Sequence, residues 1–388
     1  MSDEQAIEDG EETATPLGGR RWALPAGLPL AFVVGVLGCA IIYSTSMNQH
    51  DASYFAVRQA FWLVLGLGVY SACSRLSAER LIRATPWLTG IMLVALVGVL
   101  IVGSARNGMT GWYAFKLPFG GRYFKDILIQ PSELAKPVFV LFVAWIIGKH
   151  PREASPDWRE YGIIIAQVAG WLLLLGLQPD FGTALVYAGG FAIMYWVRGG
   201  RPVHLAATAL AAVPVCIGIY RAFPYVQRRL AGFMDPEGHA DAAGWHVLQN
   251  RAALAGGGWW GQWNESGAID GGYLPHAHND SIFAAYGELA GLFGVLTLTV
   301  GLAIWLGWIA WQAQEQANQR QALIVAGIAG IVGVQAIVHI SVTVGLLPPT
   351  GVTLPFLSYG GSSLIGTLAS LGIVIALRRE RAPDAPTE

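Results

Sequence analysis

The sequence predicts an all-α polytopic membrane protein of about ten transmembrane helices, with a large external loop between the seventh and the eighth. Three observations carry that reading. Hydrophobic residues make up 54% of the 388-residue chain and charged residues only 13%, with a mean hydropathy of +0.48, outside the range of a soluble globule. The apolar residues fall in runs of about twenty, the length that crosses hydrocarbon as a helix. Between those runs the basic residues favour one side, as the positive-inside rule requires.

Met1–Gly19 is acidic (Asp3, Glu4, Glu8, Asp9, Glu11, Glu12) and has no apolar core, so it reads as a disordered tail and not as a cleavable signal. Residues 1–22 are expected to form a cytoplasmic tail, 23–378 one integral membrane domain with a large external loop over 221–280, and 379–388 a second cytoplasmic tail. The spans read Leu28–Met47, Ala56–Ser74, Pro86–Ser104, Pro131–Gly148, Ile163–Leu177, Phe181–Val197, Val203–Tyr220, Ser281–Trp311, Ala322–Leu346 and Leu354–Leu377. The fifth and sixth are short and separated only by Gln178-Pro179-Asp180, the pattern of a kinked or re-entrant pair. Cys39, Cys73 and Cys216 lie far apart in or at the end of apolar runs. They read as small buried hydrophobes, with neither a disulfide framework nor a zinc site expected.

With the N-terminus inside, 14 basic residues fall on the cytoplasmic side and nine outside, and Lys136 falls within a span. Both termini are thereby expected in the cytoplasm. Eight of the nine external cations sit in two loops, Arg106–Lys125 and Arg221–Arg251. Two such loops facing each other make an anion site; contact with lipid headgroups is the alternative. A net charge of −1 and the lack of any basic or aromatic-basic run point away from nucleic acid.

The interval Gly244–Gly294 is the one long polar stretch, and it leads into His278-Asn279-Asp280 at the head of the apolar run Ser281–Trp311. An ionisable group kept where water meets hydrocarbon is expensive and for that reason usually functional. Asp280 is therefore the candidate chemical centre, and Glu288, two helical turns on, is the next acid of the same span. Glu133 and Lys136 share one helical face; either they neutralise each other, or Lys136 faces a cavity and binds an anionic substrate. Asp180 either caps the sixth helix or pairs with Lys136 or another cation. Gly345–Ser363, with Pro348, Pro349 and Pro355, breaks the last span at one end. Broken backbone at membrane depth survives only inside protein or beside a wet cavity. Gly256-Gly257-Gly258 is no phosphate loop, because no Lys-Ser/Thr follows at the required spacing. No paired Cys/His metal motif is present, and His276-Ala277-His278 alone is a weak metal pair.

QPSELAK (Gln130–Lys136), LQPDFGT (Leu177–Thr183), RRLAGFMDP (Arg228–Pro236), LPHAHNDSIFA (Leu274–Ala284) and LPPTGVTLPFLSYGGSS (Leu347–Ser363) follow one another in a characteristic order. In these motifs the chain resembles the RodA/FtsW family of shape, elongation, division and sporulation proteins, from about the first span to the last. The resemblance implies ten transmembrane helices in the bacterial cytoplasmic membrane. It also implies peptidoglycan glycosyltransferase activity on lipid II, beside a class B penicillin-binding transpeptidase. It places the catalytic Asp at Asp280, the span Lys at Lys136 with Glu133 beside it, the QPD acid at Asp180, and the loop Arg at Arg229 next to Arg228. His278, Glu288, Ser358 and Tyr359 fall within or beside the matched motifs and are implied to bind substrate. The chain departs from the family at His278-Asn279-Asp280-Ser281, where His-Thr-Asp-Phe is common, and at Glu288-Leu289, where two acids are usual. TGVTLPFLSYGGSS resembles the division branch and QPSELAK the elongation branch, so both stay open.

No motif demands a cofactor. A divalent cation, Mg or Mn, is expected only as a partner of a leaving pyrophosphate, and its ligands are unassigned. The rival reading is a flippase for lipid-linked precursors, since Lys136, Asp180 and broken helices also suit a translocator; a catalytically weakened scaffold for a transpeptidase is the third. Against transport, the acids cluster near the outer face and the two halves show no inverted repeat.

Overall fold

The computed structural model describes residues 27–46, 52–106, 108–118, 121–149, 155–240, 243–262, 269, 272–316 and 318–379, which form thirteen helices and three short strands. The expected tails, residues 1–22 and all of 379–388 but Arg379, lie outside the described residues, as do Asn107 and Trp263.

Seven described helices are long and apolar enough to cross a membrane. They are α2 (Ala52–Cys73), α3 (Ala78–Val102), α6 (Trp158–Leu177), α8 (Pro202–Ala222), α11 (Ile282–Gln314), α12 (Gln319–Thr343) and α13 (Gly361–Arg379). α1 (Gly27–Ser46) and α7 (Phe181–Val197) carry shorter apolar stretches, and α5 (Pro131–Ile147) sets Glu133 and Lys136 in an otherwise apolar run. α4 (Gly121–Phe124), α9 (Pro224–Met234) and α10 (Ala243–Gly256) lie in the connections. The fold is all-α and polytopic, as the composition requires.

α12 is its axis. In its apolar window 78% of residues are buried, against 6% for α8 and 17% for α11, so α12 is enclosed while α8 and α11 lie at the periphery. α5, α7, α11 and α13 surround it. Lipid tails are as apolar as leucine, so helices in a membrane associate through close contact at small residues and not through the hydrophobic effect. Gly327 of α12 shows this: a Cβ there would lie 2.6 Å from the Met194 sulfur of α7. α5 is buried almost throughout. Its Phe139 meets Trp171 of α6 edge-on at 5.6 Å and Tyr187 of α7 at 4.5 Å, pairs that each contribute roughly 0.5–1.5 kcal/mol beyond burial.

Local chemistry sets the helix ends. Asp157 accepts a hydrogen bond from the Glu160 N–H at 2.7 Å and starts α6 five residues before its apolar run. In place of a re-entrant pair, α6 and α7 are helices of 20 and 17 residues. α13 starts at Gly361 and not at Leu354, because Phe356, two residues on, has a φ of +67°, outside the right-handed helical region. α11 is interrupted at Gly291, whose φ of +65° is open to glycine but strained for other residues. The N–H groups freed by that break are taken up from outside the helix: Leu292 donates to Gly258 O at 2.9 Å and Phe293 to Trp259 O at 3.2 Å. Cys216 is exposed, contrary to the burial expected of it, and Cys39 and Cys73 are half-buried.

The segment between α3 and α5, read from sequence as a basic loop, is an antiparallel sheet in the order β1 (Ser104–Arg106), β2 (Met109–Lys116), β3 (Asp126–Ile129). Tyr113 pairs with Ile129 and Lys116 with Asp126, so β3 delivers the chain directly into Gln130 and α5.

Candidate active site

Asp280 lies in the turn that leads into α11. The turn is closed by the Asn279 and Ser281 N–H groups on His276 O, at 2.8 and 3.2 Å. The Ser281 hydroxyl donates to Pro275 O at 2.8 Å, so at 3.0 Å it accepts from His246 Nε2–H, which fixes that imidazole's tautomer. Asp280 Oδ1 is buried and has no hydrogen-bond partner among the described residues. A buried carboxylate oxygen without a donor is costly to maintain, and it is the state expected of a base whose donor is the substrate.

The chain between α12 and α13 forms the facing wall. Tyr359 N–H donates to His278 O at 2.8 Å and Ser358 Oγ to Asn279 O at 3.0 Å. Ser358 and Tyr359 thus hold the Asp280 turn from behind. Gly351 (φ +77°) runs alongside, where a Cβ would come to 4.0 Å from Asp280 Oδ2. The next residues are pinned to α12, with His339 Nδ1–H donating to Val352 O at 2.7 Å and Gln335 Nε2 to Thr353 O at 2.9 Å.

α9 supplies the cation. Arg229 lies over the Tyr225 ring at 4.2 Å and donates through Nη1 to Pro349 O at 2.8 Å, two residues from Gly351. Arg228, its neighbour, is exposed. Tyr225 is placed to feel both charges: burial raises its pKa most, Arg229 lowers it and Asp280 raises it. Beneath Arg229 an apolar cavity of about 530 Å³ opens between α7, α8 and α9, lined among others by Phe181, Val213, Cys216 and Tyr220. A larger cavity of about 980 Å³, between α7, α11 and α12, reaches Gln314 and Gln319 at the opposite end of α11 from Asp280.

Of the partners open to Lys136, Glu133 holds it: Nζ donates to Glu133 Oε2 and to Gln335 Oε1, both at 2.7 Å, in a buried ion pair. Asp180 caps α7 through the Thr183 N–H at 3.1 Å and accepts from Gln130 Nε2 and Ser132 Oγ, each at 3.2 Å. The sequence motifs around 130 and 180 therefore make one polar layer under the site. Glu288 is buried at the break in α11, where Oε1 accepts from the Ile269 N–H at 3.4 Å. No group of three or more His, Cys, Asp or Glu side chains among the described residues is arranged to hold a metal ion. A divalent ion at the leaving group thus has no such donor set among the described residues.

His278 stacks on Phe55 of α2, ring centroids 3.9 Å apart, with Tyr359 edge-on at 5.8 Å. Burial first, then His276, lowers its pKa to about 4, against the pull of Asp280. The native protein therefore keeps His278 neutral where the unfolded chain protonates it, which removes stability as pH falls from the ordinary imidazole value of 6.5 toward about 4. The melting temperature is expected to drop across that window, and the drop to shrink in His278→Gln; an identical pH profile in the two proteins contradicts it.

Sequence reasoning missed four contributors to these walls. Phe55 falls just before the expected span Ala56–Ser74, Arg58 and Gln59 fall inside it, and Gln335 is one polar residue in another span. Arg58 gave the one signal, as the single external cation outside the two basic loops.

Fold and site define a multi-pass membrane protein with an unpartnered aspartate oxygen, an arginine and an apolar groove gathered at one end of a helix bundle. The chain belongs to the FtsW/RodA/SpoVE family of cell cycle proteins, whose profile matches residues 26–382. It is 32% identical to a probable peptidoglycan glycosyltransferase FtsW of Thioalkalivibrio sp. (strain K90mix), over 94% of this chain and 91% of the relative. With a probable peptidoglycan glycosyltransferase FtsW of Geobacter sulfurreducens (strain DL-1 / KN400) it shares 33% identity over 92% and 95% of the two chains. Among solved structures it resembles a chain from a peptidoglycan synthase complex that coordinates polymerisation and crosslinking, with a TM-score of 0.76, 29% identity and coverage of 92% and 97%. It also resembles the rod shape determining protein RodA of Thermus thermophilus, with a TM-score of 0.68, 27% identity and coverage of 94% and 99%.

Proposed function

We infer that this chain is a peptidoglycan glycosyltransferase that polymerises lipid II on the outer face of the bacterial cytoplasmic membrane. The observation that carries the reading is the unpartnered oxygen of Asp280, on a wall shared with Arg229 and its apolar groove. Asp280 takes the proton from the 4-hydroxyl of the acceptor sugar. That oxygen attacks the anomeric carbon of the donor, the bond to the pyrophosphate breaks, and the bonding pair leaves with undecaprenyl pyrophosphate. A positioned base contributes about 10²–10⁴-fold. Negative charge grows on the leaving group, where the Arg229 guanidinium offers charge-assisted hydrogen bonds. The groove beneath it is apolar enough to take a polyprenyl chain. Lys136, Glu133 and Asp180 support the site from below, and His278 and Glu288 position the segments on either side of Asp280.

The topology belongs to the same reading. α1–α3, α5–α8 and α11–α13 make the ten spans, with α9, α10 and the sheet outside. Both termini are cytoplasmic, with residues 1–22 and 379–388 as tails. The solved synthase complex supports a penicillin-binding transpeptidase as partner.

Arg229 supplies the test. Arg229→Ala is expected to lower kcat/KM for lipid II by roughly 10–100-fold, the loss of one charge-assisted contact. Arg229→Lys restores only part of it, because a point charge lacks the guanidinium fork. Unchanged turnover of Arg229→Ala at limiting lipid II contradicts the pyrophosphate assignment.

A further inference from the structure

Arg58 is buried four residues from Tyr54, near the end of α2 that meets the site. Its guanidinium donates through Nη1 to the Tyr54 hydroxyl at 2.6 Å and to Tyr123 O at 2.9 Å, and through Nη2 to Asp126 O at 2.9 Å. The last two carbonyls belong to the chain entering β3, which passes straight into Gln130. Gln130 in turn donates from its N–H to Ser362 Oγ at 3.0 Å and from Nε2 to Asp180 at 3.2 Å. The same helical stretch also grips the other wall. Phe55 stacks on His278, two residues from Asp280. Gln59 donates from Nε2 to Ser358 O at 3.1 Å and accepts from the Gly360 N–H at 3.3 Å. Tyr359, on that wall, lies close enough to Arg58 to feel its charge. One and a half turns of α2 thus touch both the β3–α5 side and the His278–Tyr359 side of the site.

We propose that Arg58 is a positioning residue for glycosyl transfer, fixing the spacing of the two walls between which Asp280 works; this rests on the glycosyltransferase reading above. The chemistry favours arginine for the task. A planar fork reaches carbonyls 65 and 68 residues away at once, while a lysine ammonium is a point charge that cannot span both in fixed geometry. The cation lies under the protein surface, so it recruits no substrate directly. Its effect passes through wall geometry, where a displacement of about 1 Å costs on the order of 10²-fold in rate.

Arg58→Lys and Arg58→Met separate this role from a general structural one. In full-length protein, kcat for lipid II, expressed per folded molecule, is expected to fall about tenfold in Arg58→Lys and further in Arg58→Met, with KM within about threefold of wild type. Trypsin cleavage at the exposed Lys116 of β2 and Lys125 just before β3 is expected to quicken severalfold in both variants, with no substrate present. A merely structural role lowers yield and melting temperature and leaves kcat per folded molecule intact. Arg58→Lys within twofold of wild-type kcat overturns the proposal, and so does unaltered trypsin protection of the sheet. A wild-type protein that makes no glycan sinks the parent reading and this role with it, whereas an active wild type with an equally active Arg58→Lys sinks this role alone.

Discussion

Asp280→Asn is expected to cut glycan polymerisation by on the order of 10²-fold or more, while insertion, yield and melting temperature stay close to wild type. The substitution keeps size and most hydrogen-bonding capacity but removes the basic lone pair that accepts the hydroxyl proton. Oδ1 makes no bond to described residues, so few native contacts are broken, and a charge that was expensive to hold at the edge of a span is removed. Polymer length and rate, followed on purified protein with lipid II, read the effect. An Asp280→Asn protein as active as wild type removes Asp280 from the mechanism and leaves Glu288 as the next acid on the same span.

The second large effect belongs to Lys136 and falls on stability. Lys136→Met leaves Glu133 and the Gln335 Oε1 without their donor in a site where both side chains of the ion pair are under 10% exposed. Removing one member of a buried pair costs about 3–5 kcal/mol, because the remaining charge is stranded. Unfolding in detergent is expected to shift accordingly, and activity to be lost with it. Glu133→Gln combined with Lys136→Met recovers much of that stability, since the stranded charge is gone. A Lys136→Met protein as stable as wild type contradicts a structural role for the pair and returns Lys136 to direct substrate contact.

Apolar runs and their breakers made the spans legible, and the positions of ionisable residues made Asp280 legible, because an acid at the head of an apolar run has few bland explanations. Other features depend on partners far along the chain. β2 was read as loop because Met109–Lys116 acquires its ladder only from Asp126–Ile129, beyond an intervening turn. The break in α11 is stabilised by carbonyls of Gly258 and Trp259, more than thirty residues earlier, and periodicity cannot announce that. Between ion pairing and anion binding for Lys136, the local i,i+3 spacing leaves the choice open; the folded chain adds Gln335 from α12 beside Glu133 as a partner. Ser358 and Tyr359 were singled out by motif, and their bonds to Asn279 and His278 show them bracing the Asp280 turn. Arg58 is the clearest omission: by sequence it counts only as one more external cation, and only the folded chain brings Tyr123 and Asp126 to it.

The central claim is that this chain itself forms glycosidic bonds, and purified full-length protein supplied with lipid II tests it most directly. Wild-type protein is expected to produce glycan chains that a muramidase degrades, and Asp280→Asn to produce none at matched protein and lipid concentrations. Failure of the wild type to polymerise, together with transfer of lipid II between leaflets of a vesicle, would contradict the account and establish the translocator in its place.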